Sequence, residues 1–162
     1  MRKPFIAIAA LALAAVGAGI PATTAQADEL SVRGPGCNAV WPDDRNGNVY
    51  AWSGRDCTGI RLGYTQGDDA NWATSSDDDF YGSDNDNAES VMNAGYPAGE
   101  DVVAFYRHAN YAGGYGCLDS DELYADDLRD NYFTGTNISM DNQISSHRWV
   151  YPSGCLAGSW IS

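Results

Sequence analysis

Asp141-Asn142-Gln143-Ile144-Ser145-Ser146 has a weaker copy upstream, Asp86-Asn87-Ala88-Glu89-Ser90-Val91. Each copy follows an aromatic-to-glycine motif at nearly the same distance. In the second half this motif is Tyr106, four residues, then Tyr111-Ala112-Gly113; in the first it is Trp52, four residues, then Cys57-Thr58-Gly59. From the glycine to the first serine of the hexapeptide is 31 residues in one half (90 − 59) and 32 in the other (145 − 113). Two unrelated features repeated in one order at matched separation indicate a duplicated unit. The unit is too long for a solenoid repeat and suits a four-stranded Greek key.

Around these motifs the strands follow from local composition. Asn46-Gly47 is a tight-turn dipeptide leading into Val49-Tyr50-Ala51-Trp52, whose β-branched and aromatic content predicts a strand. Ile60 to Tyr64 alternates and predicts the next strand. The polar stretch from Gly67 to Asn87 predicts mostly loop, and Ser90 to Asn93 closes the first unit. Gly95 to Glu100 is a turn-rich connector. Val102 to Tyr106 opens the second unit, Tyr115 to Leu118 follows, and His147 to Tyr151 ends it. Asp119 to Arg129, with Leu123 and Leu128 among acids, is compatible with a helical turn. No stretch has the length and 3.6-residue periodicity of a substantial helix, so the predicted class is all-β.

Residues 1–27 read as a signal peptide: Arg2 and Lys3, an apolar run from Phe5 to Ile20, then the small-x-small pattern Ala25-Gln26-Ala27. Cleavage would leave 135 residues (162 − 27), enough for one domain. It would also leave seven Arg against 22 acids, a formal charge of −15 (7 − 22). So acidic a chain does not bind nucleic acid or anionic lipid through charge. Carboxylates crowd at Asp68-Asp69, Asp77-Asp78-Asp79, Asp84-Asp86 and Asp126-Asp127, where divalent cations would relieve repulsion. Residues 28–47 read as an extended arm, since Gly34-Pro35-Gly36 and Trp41-Pro42 break helices. After the second unit, 152–162 read as a C-terminal tail.

Four cysteines in an exported chain imply disulfides, with three pairings open. Cys37 precedes the first repeat and Cys57 lies in it; Cys117 lies in the second and Cys155 follows it. Symmetry therefore favours Cys37–Cys57 and Cys117–Cys155. Zinc is the competitor, but there is no CxxC pair and only His108 and His147 could assist.

The motif pair, aromatic-x4-aromatic-x-Gly followed by Asp/Asn-Asp/Asn-x-x-Ser/Thr-Ser, resembles the double Greek key of the microbial βγ-crystallins. It is most similar to the secreted bacterial branch grouped with peptidase inhibitor family I36. The resemblance spans about 48–151 and implies a βγ-crystallin-type, disulfide-tied β-sandwich of two Greek keys, about 48–95 and 102–151. The first copy departs at Cys57, in the second aromatic position, and at Val91, where the last serine belongs. The resemblance further implies calcium sites built crosswise from both motifs. Their ligands would be a loop carbonyl from Ser53 or Arg107, with Asp86, Asn87, Ala88 and Ser90 from one hexapeptide. Asp141, Asn142, Gln143 and Ser145 would come from the other. Oxygen donors of this kind suit a hard cation wanting six to eight ligands. An EF-hand reading of Asp84 to Glu89 fails, because Ala88 and Glu89 fall where a ligand and the turn glycine belong.

Enzyme signatures are lacking: there is no GxSxG elbow, HExxH or phosphate loop. A Ser–His–Asp triad would have to use His108 or His147. The expected function is that of a secreted, non-enzymatic calcium-binding monomer, with an extracellular protease as the possible macromolecular partner. The alternative is a killer-toxin-like or cell-surface carbohydrate binder. For the latter, Tyr132-Phe133, Trp72 and Phe80-Tyr81, aromatics set in polar stretches, are the sugar-stacking candidates.

Overall fold

Val49, Ala51, Val103 and Phe105 are apolar residues at alternate positions of two strands, and burying their shared face organises the molecule. The computed structural model of the chain describes residues 36–74 and 80–162. The predicted signal peptide, the start of the arm and Asp77-Asp78-Asp79 lie outside the described residues. Among the described residues seven strands run in order: β1 Val49–Gly54, β2 Thr58–Thr65, β3 Ser90–Asn93, β4 Val102–His108, β5 Ala112–Leu118, β6 Tyr124–Ala125 and β7 Ser146–Val150. They form two antiparallel sheets of order β2-β1-β3-β6 and β5-β4-β7.

The two halves exchange their third strands. The short β6 belongs to the second half by sequence but pairs with β3, Val91 opposite Ala125 and Met92 opposite Tyr124. In return Asp69 of the first half bridges His147 of β7, with N–H to carbonyl bonds of 2.9 Å in both directions. Each sheet is thus completed by the other half, which is what two interlocked Greek keys require. Asp119 to Arg129 contributes β6 where a helical turn was conceivable. Tyr124 and Ala125 pair with Met92 and Val91 of β3, and that ladder holds the backbone extended.

The main core lies between the sheets and includes Val49, Val91, Phe105, Leu118, Leu128, Met140 and Ile144. The outer faces are covered as well. Tyr50, Trp52 and Met92 pack with Cys37 and Cys57 outside one sheet. Tyr106 packs with Tyr111, Tyr115, Cys117 and Cys155 outside the other. Disulfides Cys37–Cys57 and Cys117–Cys155 close these outer clusters, and no described cysteine is free.

Two expectations change at the chain ends. Gly36–Val40 forms a single helical turn within the predicted extended arm. The helix breakers stand on either side of it, and the turn places Cys37 inward against Cys57. The tail folds back on β5, Cys117 N–H donating to Ser159 O at 2.7 Å and Ile161 N–H to Cys117 O at 3.0 Å. That pairing satisfies the sheet edge and seats Ile161 in the main core. Among the described residues no helix is long and apolar enough to cross a membrane.

Candidate metal centre

The loop after the first strand of each half is forced into left-handed backbone. Asp56 and Cys57 both have φ 54°, and Asn110 and Tyr111 have φ 61° and 58°. Gly59 and Gly113 follow at φ 73° and 80°, where a Cβ would come within 2.8 Å of Ser53 Oγ and 2.9 Å of His108 Cδ2 respectively. Only glycine fits either place, which explains its matched position in the two copies.

A buried serine ties each loop to the hexapeptide. Ser90 Oγ donates to Gly54 O at 2.7 Å and accepts from Cys57 N at 3.1 Å. Its counterpart is Ser146, whose Oγ donates to His108 O at 2.8 Å and accepts from Tyr111 N at 3.2 Å. Sheet register agrees, for Ser90 faces Trp52 and Ser146 faces Tyr106. Asp86 and Asn142 share φ values of 55° and 54°. Their amides cross between halves, Asp86 N to Ile144 O at 3.0 Å and Asn142 N to Ala88 O at 2.8 Å.

This corrects the predicted alignment of Ser90 with Ser145. The first copy reads Asn85-Asp86-Asn87-Ala88-Glu89-Ser90, one residue earlier, with Glu89 opposite Ser145. Glu89 N–H donates to Trp52 O at 2.9 Å as Ser145 N–H does to Tyr106 O at 3.0 Å. Ser90 is thereby removed from the candidate ligands: it is fully buried and its hydroxyl is used in the loop. Asn87, not Ala88, becomes the counterpart of Gln143. The one signal that could have revealed this register is burial pattern, since it aligns apolar Ala88 with Ile144. Ser90→Ala is expected to cost about 2 kcal/mol, the loss of a buried doubly bonded hydroxyl, and to leave calcium affinity unchanged. Urea unfolding and titration of the same variant check both halves of that statement.

Of the predicted ligands, three converge. Ser145 Oγ lies 3.0 Å from Asp86 Oδ1 and 3.0 Å from the Arg107 carbonyl oxygen. A hydroxyl has one proton, so it cannot satisfy two acceptors at once. The result is a cluster of three oxygens, one carrying charge, drawn from both hexapeptides and the end of β4. Such a cluster fits a hard cation. Among the described residues no three His, Cys, Asp or Glu side chains converge, which favours mixed carbonyl, hydroxyl and carboxylate ligation over a zinc-type centre.

The pseudo-twofold relates Ser145 to Glu89, Asp86 to Asn142 and Arg107 to Ser53. Each set therefore has one carboxylate, supplied from the second hexapeptide position in one and from the fifth in the other. Glu89 Oε2 lies 3.8 Å from Arg55 Nε. Beside it Asp141 keeps one buried oxygen, Oδ1, without a hydrogen-bond partner among the described residues. Burial, and secondarily the negative charge of Glu89, hold the Asp141 carboxyl above its ordinary range. Asn142 Nδ2 donates to Asp141 Oδ2 at 3.3 Å, and Gln143 Nε2 to Asn142 O at 2.8 Å.

His147, one of the two histidines open to a catalytic reading, is spent inside the core. Trp72 Nε1 donates to its Nδ1 at 2.8 Å, and Nε2 lies 3.2 Å from Gly67 O. Trp72, Phe80 and Phe133 are also buried, so they are not a sugar platform; Tyr81 and Tyr132 are exposed.

No family model matches the sequence, and no curated protein matches it. Among solved structures the chain is similar to a βγ-crystallin from an archaeon, at 20% identity and TM-score 0.42, over 64% of this chain and 96% of that one. It is also similar to a structure concerned with the evolution of the eye lens βγ-crystallin domain fold. There the identity is 19% and the TM-score 0.46, over 68% of this chain and 91% of that one.

Proposed function

We propose that the protein is an exported calcium-binding Greek-key domain in which calcium locks the two halves together. The observation that carries this reading is the Ser145 hydroxyl, set 3.0 Å from both Asp86 Oδ1 and Arg107 O. A cation there would bridge the first hexapeptide, the second hexapeptide and the end of β4. It would supply the positive charge that a chain of formal charge −13 lacks at this point. Two disulfides with no free cysteine among the described residues support passage through an oxidising compartment.

Calorimetric titration tests the site. The expected affinity is on the order of 10⁻⁴ to 10⁻³ M, as for other extracellular calcium modules. At ten times that concentration calcium should add about 1.4 kcal/mol of stability by mass action. Ser145→Ala should weaken binding roughly tenfold, while Asp121→Asn, an exposed acid elsewhere, should not. Equal heat and equal stabilisation from magnesium would reduce the acids to a diffuse counterion cloud and end the site reading.

Peptidase inhibition rests on the sequence resemblance alone. An inhibitory loop presents an extended, accessible bond, whereas Arg55, one of several exposed arginines, sits in a tight turn. Its carbonyl accepts from Thr58 N at 3.1 Å and Thr58 Oγ1 at 2.6 Å.

A further inference from the structure

At the end of β4 and β7 away from Ser145, two shallow depressions join. The strands pair Tyr106 with Ser146 at the metal end and Val102 with Val150 at the other, about 13 Å along β7. The depressions enclose about 350 and 430 Å³ and share Asp68, Glu100 and Trp149. Tyr96 stands in one and Tyr151 in the other, 61% and 56% exposed. Trp149 lies between them, packed so closely over Gly95 that a Cβ there would meet its ring at 2.6 Å. Its indole N–H is buried and has no partner among the described residues. Gln66 and Glu100 supply amide and carboxylate groups at the rim.

We propose that this groove binds a neutral, equatorially β-1,4-linked pyranose chain. Such chains are flat ribbons that present C–H faces to aromatic rings and hydroxyls along their edges. The two exposed tyrosines along an open groove match the faces, Gln66 and Glu100 match the edges, and the part-buried Trp149 forms the floor between them. Acidic sugars are disfavoured by Asp68, Glu100 and the charge of the whole chain. A cationic peptide is the weaker occupant, because Arg148 lines the same groove and opposes the charge of Asp68 and Glu100.

The test uses the full mature chain, with cellohexaose, chitohexaose and a hexa-arginine peptide as probes, followed by the Trp149 indole N–H resonance. At least one of the two glycans should move that resonance saturably. Tyr96→Ala and Tyr151→Ala should each weaken the binding roughly fivefold, while calcium affinity and the effect of Tyr132→Ala, an exposed aromatic elsewhere, stay at parent values. No response to either glycan overturns the proposal. So does a response confined to hexa-arginine, or glycan binding that both tyrosine variants leave intact.

Discussion

Trp72→Ala should destabilise the protein by about 4 to 5 kcal/mol, a large share of the 5–15 kcal/mol that holds a domain folded. Trp72 is completely buried, stacks on Phe80 with ring centroids 4.2 Å apart, and meets Phe105 edge-on at 6.5 Å. Truncation removes that apolar area, opens a cavity and leaves His147 Nδ1 without its donor. Trp72→Phe separates the parts. It keeps part of the stack and removes the N–H with the rest of the pyrrole ring, so it should cost less, about 2–3 kcal/mol. The Trp72 backbone amide, which the substitution keeps, holds Ser145 O at 3.0 Å, so calcium affinity should fall only as far as collapse around the cavity displaces that segment. Urea unfolding at fixed calcium measures the first effect and titration the second. An alanine variant that unfolds at the parent's midpoint would show that this side chain does not anchor the core.

Stability should fall by about 3 kcal/mol between neutral pH and pH 4 on account of His147 alone. Burial lowers its imidazole from 6.5 to about 4, opposed only by its hydrogen bond to the Gly67 carbonyl. Above pH 6.5 the ring is neutral in both folded and unfolded chains, and the stability is whole. Below 6.5 the unfolded chain takes up the proton first, and stability declines by up to about 1.4 kcal/mol per pH unit until the folded ring titrates near 4. Asp84 and Asp141, held above the usual carboxyl range chiefly by burial, act in the opposite sense and gain stability on protonation. The difference between parent and His147→Gln profiles, in metal-free buffer, therefore isolates the histidine. A ring that titrates near 6.5 in the folded protein, followed by NMR, would refute the account.

The candidate site was only half legible. Ser145, Asp86 and Arg107 could be named from sequence because their residue types and motif positions advertise oxygen ligation. Ser90 was misassigned because two adjacent serine roles look alike in one dimension. One serine closes the loop from inside, the other faces the cluster, and only the side of the strand distinguishes them. A slip of one residue reverses that side. Glu89 was missed for the same reason, since a carboxylate in the fifth position is visible only once the register is known.

The sequence by itself determined the duplication and the all-β class, and its symmetry favoured, among three open pairings, the disulfide partners that the structure has. These follow from local needs that recur at matched spacing: a glycine where backbone turns left-handed, a turn before a β-branched run, a cysteine beside each unit. Tertiary structure alone decided the exchange of β6 and the Asp69 bridge between halves, the return of the tail onto β5, and the burial of Trp72 and Phe80. Those two rings lie in a stretch rich in Asp, Ser and Asn, which by composition reads as solvated loop. Of its described polar residues Asp68, Thr74, Ser83 and Asp86 are exposed and Asp69 and Asp84 buried, while the rings fill space that neither sheet's own side chains reach. Burial of that kind depends on volume left between distant segments, and no local pattern encodes it.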